Sequence, residues 1–215
     1  MRNNLLFSIF LIVFIDLLGF GLILPLLPFY ANQYGATPLV VGLLTATYAA
    51  AQMFDAPLLG RLSDRYGRRP ILLLSVFGTL IGFLLLGTAE PVGRFFANLI
   101  AGGNASSSFV NTMVIAMLFA SRLIDGLTGG NISVAQAYIS DVTDANNRAR
   151  GLGLIGAAFG LGFILGPAAG GLLSGWGYSV PAFVASGLVL INLIVIAAWL
   201  PESLTAEARR RLVQT

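Results

Sequence analysis

Three charged side chains stand inside otherwise apolar sequence: Asp16, Arg122 and Asp125. An ion in hydrocarbon costs several kcal/mol, so each one is a functional hypothesis by default. Arg122 and Asp125 are three residues apart and so share one helix face. Two ionised carboxylates and one guanidinium leave a net charge of −1, which a low-dielectric site resists. The group is therefore expected to take up and release one proton. The competing reading is a static ion pair that holds two helices in register, with Asp16 hydrated in a cavity. Other proton chemistry is narrowly bounded. The 215-residue chain has no His and no Cys, and all 12 of its basic residues are Arg. Ser–His catalysis, thiol nucleophiles, disulfides and His- or Cys-ligated metals are excluded, and no metal site is expected.

The elements that must carry these charges are membrane helices. Hydrophobic residues make up 57% of the chain, charged residues 10%, and mean hydropathy is +0.87. Soluble domains carry about 25% charged residues. Six apolar runs approach the ~20 residues that a helix needs to cross a bilayer: 5–30, 38–59, 70–88, 111–140, 152–173 and 180–200. The first run continues past Asp16 and is too long for a signal peptide. Ten of the Arg residues fall at the N-terminus, in the connections after spans two and four, and in the C-terminal tail. The positive-inside rule makes that side cytoplasmic, with both termini inside. Asp16 then lies ~16 Å from the cytoplasmic edge and Asp125 ~20 Å, nearly level with each other. A net charge of +3 without a basic face gives no expectation of nucleic acid as a partner.

Other positions follow from this frame. Asp55, near the cytoplasmic end of span two, is expected to pair with Arg61 and Arg65 at the interface. The connection Gly60–Pro70, "GRLSDRYGRRP", reads as a loop in which Gly60 and Gly67 allow a sharp turn, and Asp64 is placed to cap the next helix. Glu90–Val110 reads as an external loop partly along the membrane surface. Span five holds the small-residue rows Gly156/Gly160 and Gly162/Gly166/Gly170, expected to permit close and mobile helix contact, with Pro167 bending the helix. Tyr48, Gln52, Asn131 and Gln136 are candidate hydrogen-bonding positions of a substrate cavity.

Four segments together resemble one family. "GRLSDRYGRRP" resembles the cytoplasmic signature of the major facilitator superfamily. "DLLGFGLILPLLP" (Asp16–Pro28) and "SRLIDGLTGG" (Ser121–Gly130) are similar to the first- and fourth-span motifs of its drug exporters, including the tetracycline-efflux type. "GLGFILGPAAGG" (Gly160–Gly171) is similar to the fifth-span motif associated with antiporters. The resemblance implies an all-α six-helix bundle, half of a twelve-helix transporter, built as inverted three-helix repeats. It implies that Asp64, Arg68 and Arg69 belong to a cytoplasmic gate with Asp141 as partner of Arg68. It also implies that Arg122 serves proton transfer, and that Gly166-Pro167, with Gly162, Gly170 and Gly171, shapes span five and limits leak.

The expected function is proton-coupled efflux of small amphipathic compounds across the inner membrane, powered by the proton gradient with no cofactor. A sugar or metabolite carrier of the same superfamily is the alternative. An intramembrane enzyme lacks a nucleophile–base pair or metal ligands, and a channel lacks a visible filter or re-entrant repeat. Residues 201–215 read as the start of a central cytoplasmic loop. The expected partners are the bilayer, a small-molecule substrate, and a missing C-terminal six-span half or a second copy, with a fragment of a longer gene favoured.

Overall fold

The computed structural model describes residues 2–204, and the side chains of residues 5–145 and 147–204. Residues 205–215, including most of the expected central loop and Arg209, Arg210 and Arg211, lie outside the described residues. The described chain is helical without strands: α1 (Arg2–Ile23), α2 (Leu27–Gln33), α3 (Pro38–Tyr66), α4 (Arg68–Gly87), α5 (Ala89–Ile100), α6 (Ser107–Gly126), α7 (Asn131–Val142), α8 (Ala145–Leu173) and α9 (Ser179–Trp199). Six segments are long and apolar enough to cross a membrane: Leu5–Gln33, Pro38–Tyr66, Arg68–Gly87, Ser107–Val142, Asn147–Trp176 and Ser179–Trp199.

Local chemistry sets several boundaries. Thr37, Ser106 and Asp144 cap α3, α6 and α8 by accepting from the N–H groups of Val40, Phe109 and Asn147. The first span breaks after Ile23, where Pro25 and Pro28 remove donors from the helical ladder. Three sequence expectations are corrected. Gly60–Tyr66 is the last part of helix α3, so the turn between spans two and three is Gly67 alone. The expected external loop is a helical hairpin, in which α5 carries on beyond α4 and α6 returns beside it. The fourth span is two helices, interrupted at Leu127–Gly130.

Helix packing follows a pseudo-two-fold pattern. Exchanging spans one to three with four to six maps the α1–α8 contact onto the contact of α3 with α6 and α7. It maps α1–α9 onto α4–α6, and α4–α9 onto itself. All these contacts are present, as an inverted repeat requires. Buried Asn192 of α9 donates to the Ile12 carbonyl of α1 at 2.9 Å, a rare polar tie within the apolar core.

The α1–α8 contact depends on glycine. A Cβ at Gly166 would lie 2.7 Å from the backbone of Gly21, and one at Gly170 would lie 2.5 Å from the Leu22 carbonyl oxygen. Gly162 meets Leu17 in the same row. Backbone cannot yield as a side-chain end can, so the two helices touch along their main chains. The second expected row does not share this role: Gly156 and Gly160 face open space, as does Gly171 outside either row. Gly166→Val should therefore destabilise the bundle by about 1–3 kcal/mol through overpacking. Gly156→Val should change it by less than about 0.5 kcal/mol. Thermal unfolding of the two variants in detergent measures the difference, and equal melting temperatures would contradict the packing.

Candidate functional site

The interruption of the fourth span creates the central site. Lipid offers no hydrogen bonds, so a broken helix at membrane depth needs protein partners for its freed backbone groups. Neighbouring helices supply them. Asp55 of α3 accepts from Gly130 N–H at 3.0 Å, and Gln52 donates to the Gly129 carbonyl at 2.9 Å. Ser75 of α4 donates to the Thr128 carbonyl, while within the broken span Ser133 Oγ lies 2.7 Å from the Gly130 carbonyl and 3.1 Å from the Ala56 carbonyl of α3. Asp55 is thus buried, at 4% exposure, and turned onto the start of α7 rather than toward Arg61 and Arg65 as the sequence suggested.

The break sets Asp125 at the end of α6 and Asn131 at the start of α7 around one cavity. The cavity has a volume of about 220 Å³ and is lined also by Asp16, Phe20, Tyr48 and Gln52. Asn131 and Thr79 line the same cavity. Arg122 Nη1 lies 3.2 Å from Asp125 Oδ2, with both side chains almost fully buried. The guanidinium sits over the Phe83 ring, 5.5 Å from its centroid, a cation–π contact in a dry setting. Arg122 Nε and Nη2 and Asp16 Oδ1 are buried without an intramolecular hydrogen bond. Two carboxylates thus line the cavity, with Arg122 beside Asp125 and bonding capacity to spare. Gln136 is placed elsewhere, in a shallow groove between α3 and α7 with Gln52, Met53 and Ser133.

A second charged cluster closes the Arg-rich end of the bundle. Arg68 is buried and binds three groups: Asp64 Oδ1 at 2.7 Å, Asp141 Oδ2 at 2.9 Å and Ser63 Oγ at 2.6 Å. Asp64 does not cap α4. Glu202, just beyond α9, does so by accepting from the N–H groups of Arg68 at 2.9 Å and Arg69 at 3.2 Å. Anions are favoured at such a helix start. Gly67 is required there, because its φ of +111° and the Glu202 carboxylate 2.5 Å from a would-be Cβ both exclude a side chain. Gly60 lies inside α3 facing open space and takes no part in the turn. Arg69 donates to the Ala197 carbonyl, Ser203 to Asp141 at 2.9 Å, and Tyr138 to the Pro201 carbonyl at 3.0 Å.

Glu202 and the span-four break were not found from sequence, and Asp55 was given the wrong partners. Glu202 had no signal beyond an acid after a span, and the break only the adjacent pair Gly129-Gly130. Glu202→Ala should destabilise the bundle by about 2 kcal/mol, since hydrogen bonds to charged groups contribute about 1.5–3 kcal/mol. Asp64→Ala, which removes a 40%-exposed partner, should cost less than about 1 kcal/mol. Denaturant titration of both variants checks the order, and a reversed order would contradict the assignment.

Known proteins share the fold. The model of the Major Facilitator Superfamily matches residues 9–214. The chain is similar to the Escherichia coli tetracycline resistance protein of class C, 37% identical over 96% of this chain and 47% of that protein. It is similar to multidrug resistance protein 2 of Bacillus subtilis (strain 168), 31% identical over 93% of this chain and 44% of the relative. Among solved structures, the human organic anion transporter MFSD10 (TETRAN) superposes with a TM-score of 0.78 at 30% identity, covering 97% of this chain and 50% of that one. The proton:xylose symporter XylE, at 18% identity and a TM-score of 0.72, shares the fold. The chain spans about half the length of the curated relatives it matches. A six-span bundle with these contacts, matched along nearly its whole length, belongs to the Major Facilitator Superfamily, a family of membrane transporters rather than enzymes.

Proposed function

We propose that the chain is the N-terminal half of a proton-coupled exporter of small amphipathic compounds, of the tetracycline or multidrug type. The observation that carries this reading is the cavity bounded by Asp16 and Asp125 with one adjacent Arg122. With both acids ionised the group carries −1, and one bound proton makes it neutral. A carrier can use that difference, because a change of net charge in a low-dielectric cavity biases it between two conformations. Phe20, Phe83, Phe159 and Phe163 give the cavity apolar and aromatic walls, which suit an amphipathic substrate, while Tyr48, Gln52 and Asn131 supply polar contacts. The names of the tetracycline- and multidrug-resistance relatives support export, whereas XylE supports only the fold. A sugar carrier is the second reading.

In this proposal the Arg-rich end faces the cytoplasm of an inner membrane, with both termini inside. Asp64, Arg68, Arg69 and Asp141, joined by Glu202, act as the cytoplasmic gate. Gly162, Gly166 and Gly170 let α8 rock against α1 around Pro167. The opposite wall of the cavity comes from a second six-span half or a second copy. Its seat is the apolar face of α3, where Leu39, Leu43, Met53, Phe54 and Leu58 are exposed among the described residues.

Everted vesicles containing the full-length protein test the reading. An acid-inside gradient should drive tetracycline accumulation. Asp16→Asn should reduce it to the level of vesicles without the protein while leaving substrate binding intact. Undiminished gradient-driven uptake by Asp16→Asn would remove the proposed proton site.

A further inference from the structure

Helix α5 is the part of the chain that the transport reading leaves unused. It follows α4 after a single residue, Thr88, and the ladder hardly breaks. Thr88 N–H bonds the Leu84 carbonyl at 2.9 Å, and Val92 N–H bonds the Thr88 carbonyl at 3.0 Å. The two helices also share one antiparallel track on α6, since Gly82 meets Asp125 and Gly93 meets Val114. Together they form a rod from Arg68 to Ile100, ~50 Å long at 1.5 Å per residue.

Three stripes run along α5. Ala89, Gly93 and Ala97 are buried against α6. Glu90, Arg94 and Asn98 form a polar stripe whose bonds stay within the protein: Glu90 accepts from Tyr34 Oη and from Arg94 Nη2, each at 3.0 Å, and Asn98 Oδ1 accepts from Ala105 N–H at 3.4 Å. The third stripe is apolar and exposed: Phe95 62%, Phe96 41%, Leu99 65% and Ile100 65%. It extends, at helical spacing, the exposed row Leu74, Phe77, Ile81 and Leu84 of α4. That row belongs to a membrane-crossing helix and faces outward from the bundle.

We propose that α5 is seated in the headgroup–acyl boundary of the leaflet opposite the Arg-rich end. Its Phe95, Phe96, Leu99 and Ile100 lie against lipid, while Glu90 and Arg94, paired with each other and about half exposed, meet the headgroups. Two arguments identify lipid as the occupant. The stripe is continuous with the outward apolar face of a helix long and apolar enough to cross a membrane. The length also fits: a bilayer with its polar layers is about 40–45 Å thick. A ~50 Å rod tilted by ~30°, within the ordinary range of membrane helices, spans that thickness without carrying Ile100 into bulk water. The Glu90–Arg94 pair leaves this stretch electrically neutral. The seating requires only that the bundle crosses a membrane, and stands apart from the proposed substrate and coupling.

The absence of Cys from residues 1–215 makes the test direct. Nitroxide labels are placed by Phe95→Cys, Phe96→Cys and Leu99→Cys, one at a time. The host is the full-length protein, with any cysteine outside residues 1–215 replaced, in phosphatidylethanolamine/phosphatidylglycerol liposomes. Collisional relaxation by oxygen reports lipid, and relaxation by a nickel chelate reports water. Leu84→Cys serves as the mid-bilayer reference and Asn104→Cys as the aqueous one. The expected result is oxygen-dominated relaxation at all three positions, shifted from the Asn104→Cys value toward that of Leu84→Cys. Nickel-dominated relaxation matching Asn104→Cys would overturn the proposal by placing the stripe in water. Poor access to both reagents would overturn it by showing a protein cover, such as a second copy or the other half.

Discussion

A polypeptide inside a bilayer must satisfy its own backbone, because the solvent there neither donates nor accepts hydrogen bonds. The fourth span departs from a regular helix at Leu127–Gly130, and the rest of the centre is arranged around that departure. Gln52 and Asp55 from α3 and Ser75 from α4 take up its freed groups. These bonds bind the second and third spans to the fourth at one level. They also hold Asp125 and Asn131 at two helix ends facing Asp16 across the cavity. An unbroken helix would carry residues 125 and 131 well away from a common point, since six residues advance ~9 Å along a helix and turn the face by more than one full revolution.

Close backbone contact is the second organising feature. The Gly162–Gly166–Gly170 row brings α8 onto α1 without intervening side chains. The pseudo-two-fold pairing places the broken fourth span in the equivalent contact with α3. One contact is smooth and polar-free; the other is pinned by Asp55, Gln52 and Ser133. In a medium where apolar packing gives no hydrophobic gain, small-residue contact and interhelical hydrogen bonds are the main sources of helix association. Both contacts join the two repeats, and the hydrogen-bonded one is close-packed as well, since a Cβ at Gly126 would lie 2.7 Å from the Tyr48 carbonyl oxygen. At the Arg-rich end a third device operates, as Arg68 gathers Asp64, Asp141 and Ser63 while Glu202 covers the start of α4. The ends of the second, third, fourth and sixth spans thereby meet in one hydrogen-bonded cluster.

Several of these relations were readable in the residues. Asp16, Arg122 and Asp125 stand out because charge is rare in apolar runs, and the spacing of Arg122 and Asp125 predicts the pair that forms. Arg68 with Asp141 came only through family resemblance, since nothing local connects positions 73 residues apart. The roles of Glu202 and Asp55 and the span-four interruption stayed hidden for different reasons. The Glu202 role depends on the end of α9 returning beside α4. Asp55 near a cluster of Arg suggested the surface, yet its helix face turns it inward. A Gly-Gly pair in a membrane helix fits tight packing as well as it fits a break.

By itself the sequence determined the membrane class, the number of helices able to cross and which of them carry buried charges. These follow from hydrophobic run length and from the cost of moving ions out of water, both of which are one-dimensional properties. Only the tertiary structure decided which glycines touch backbone, which acid closes a helix end and which caps a break. It also set Gln136 apart from the cavity that holds Tyr48, Gln52 and Asn131. Those outcomes depend on the rotation of each helix about its axis and on which neighbour lies opposite. In an apolar medium hydropathy barely distinguishes one face from another, so close packing and polar satisfaction set that rotation.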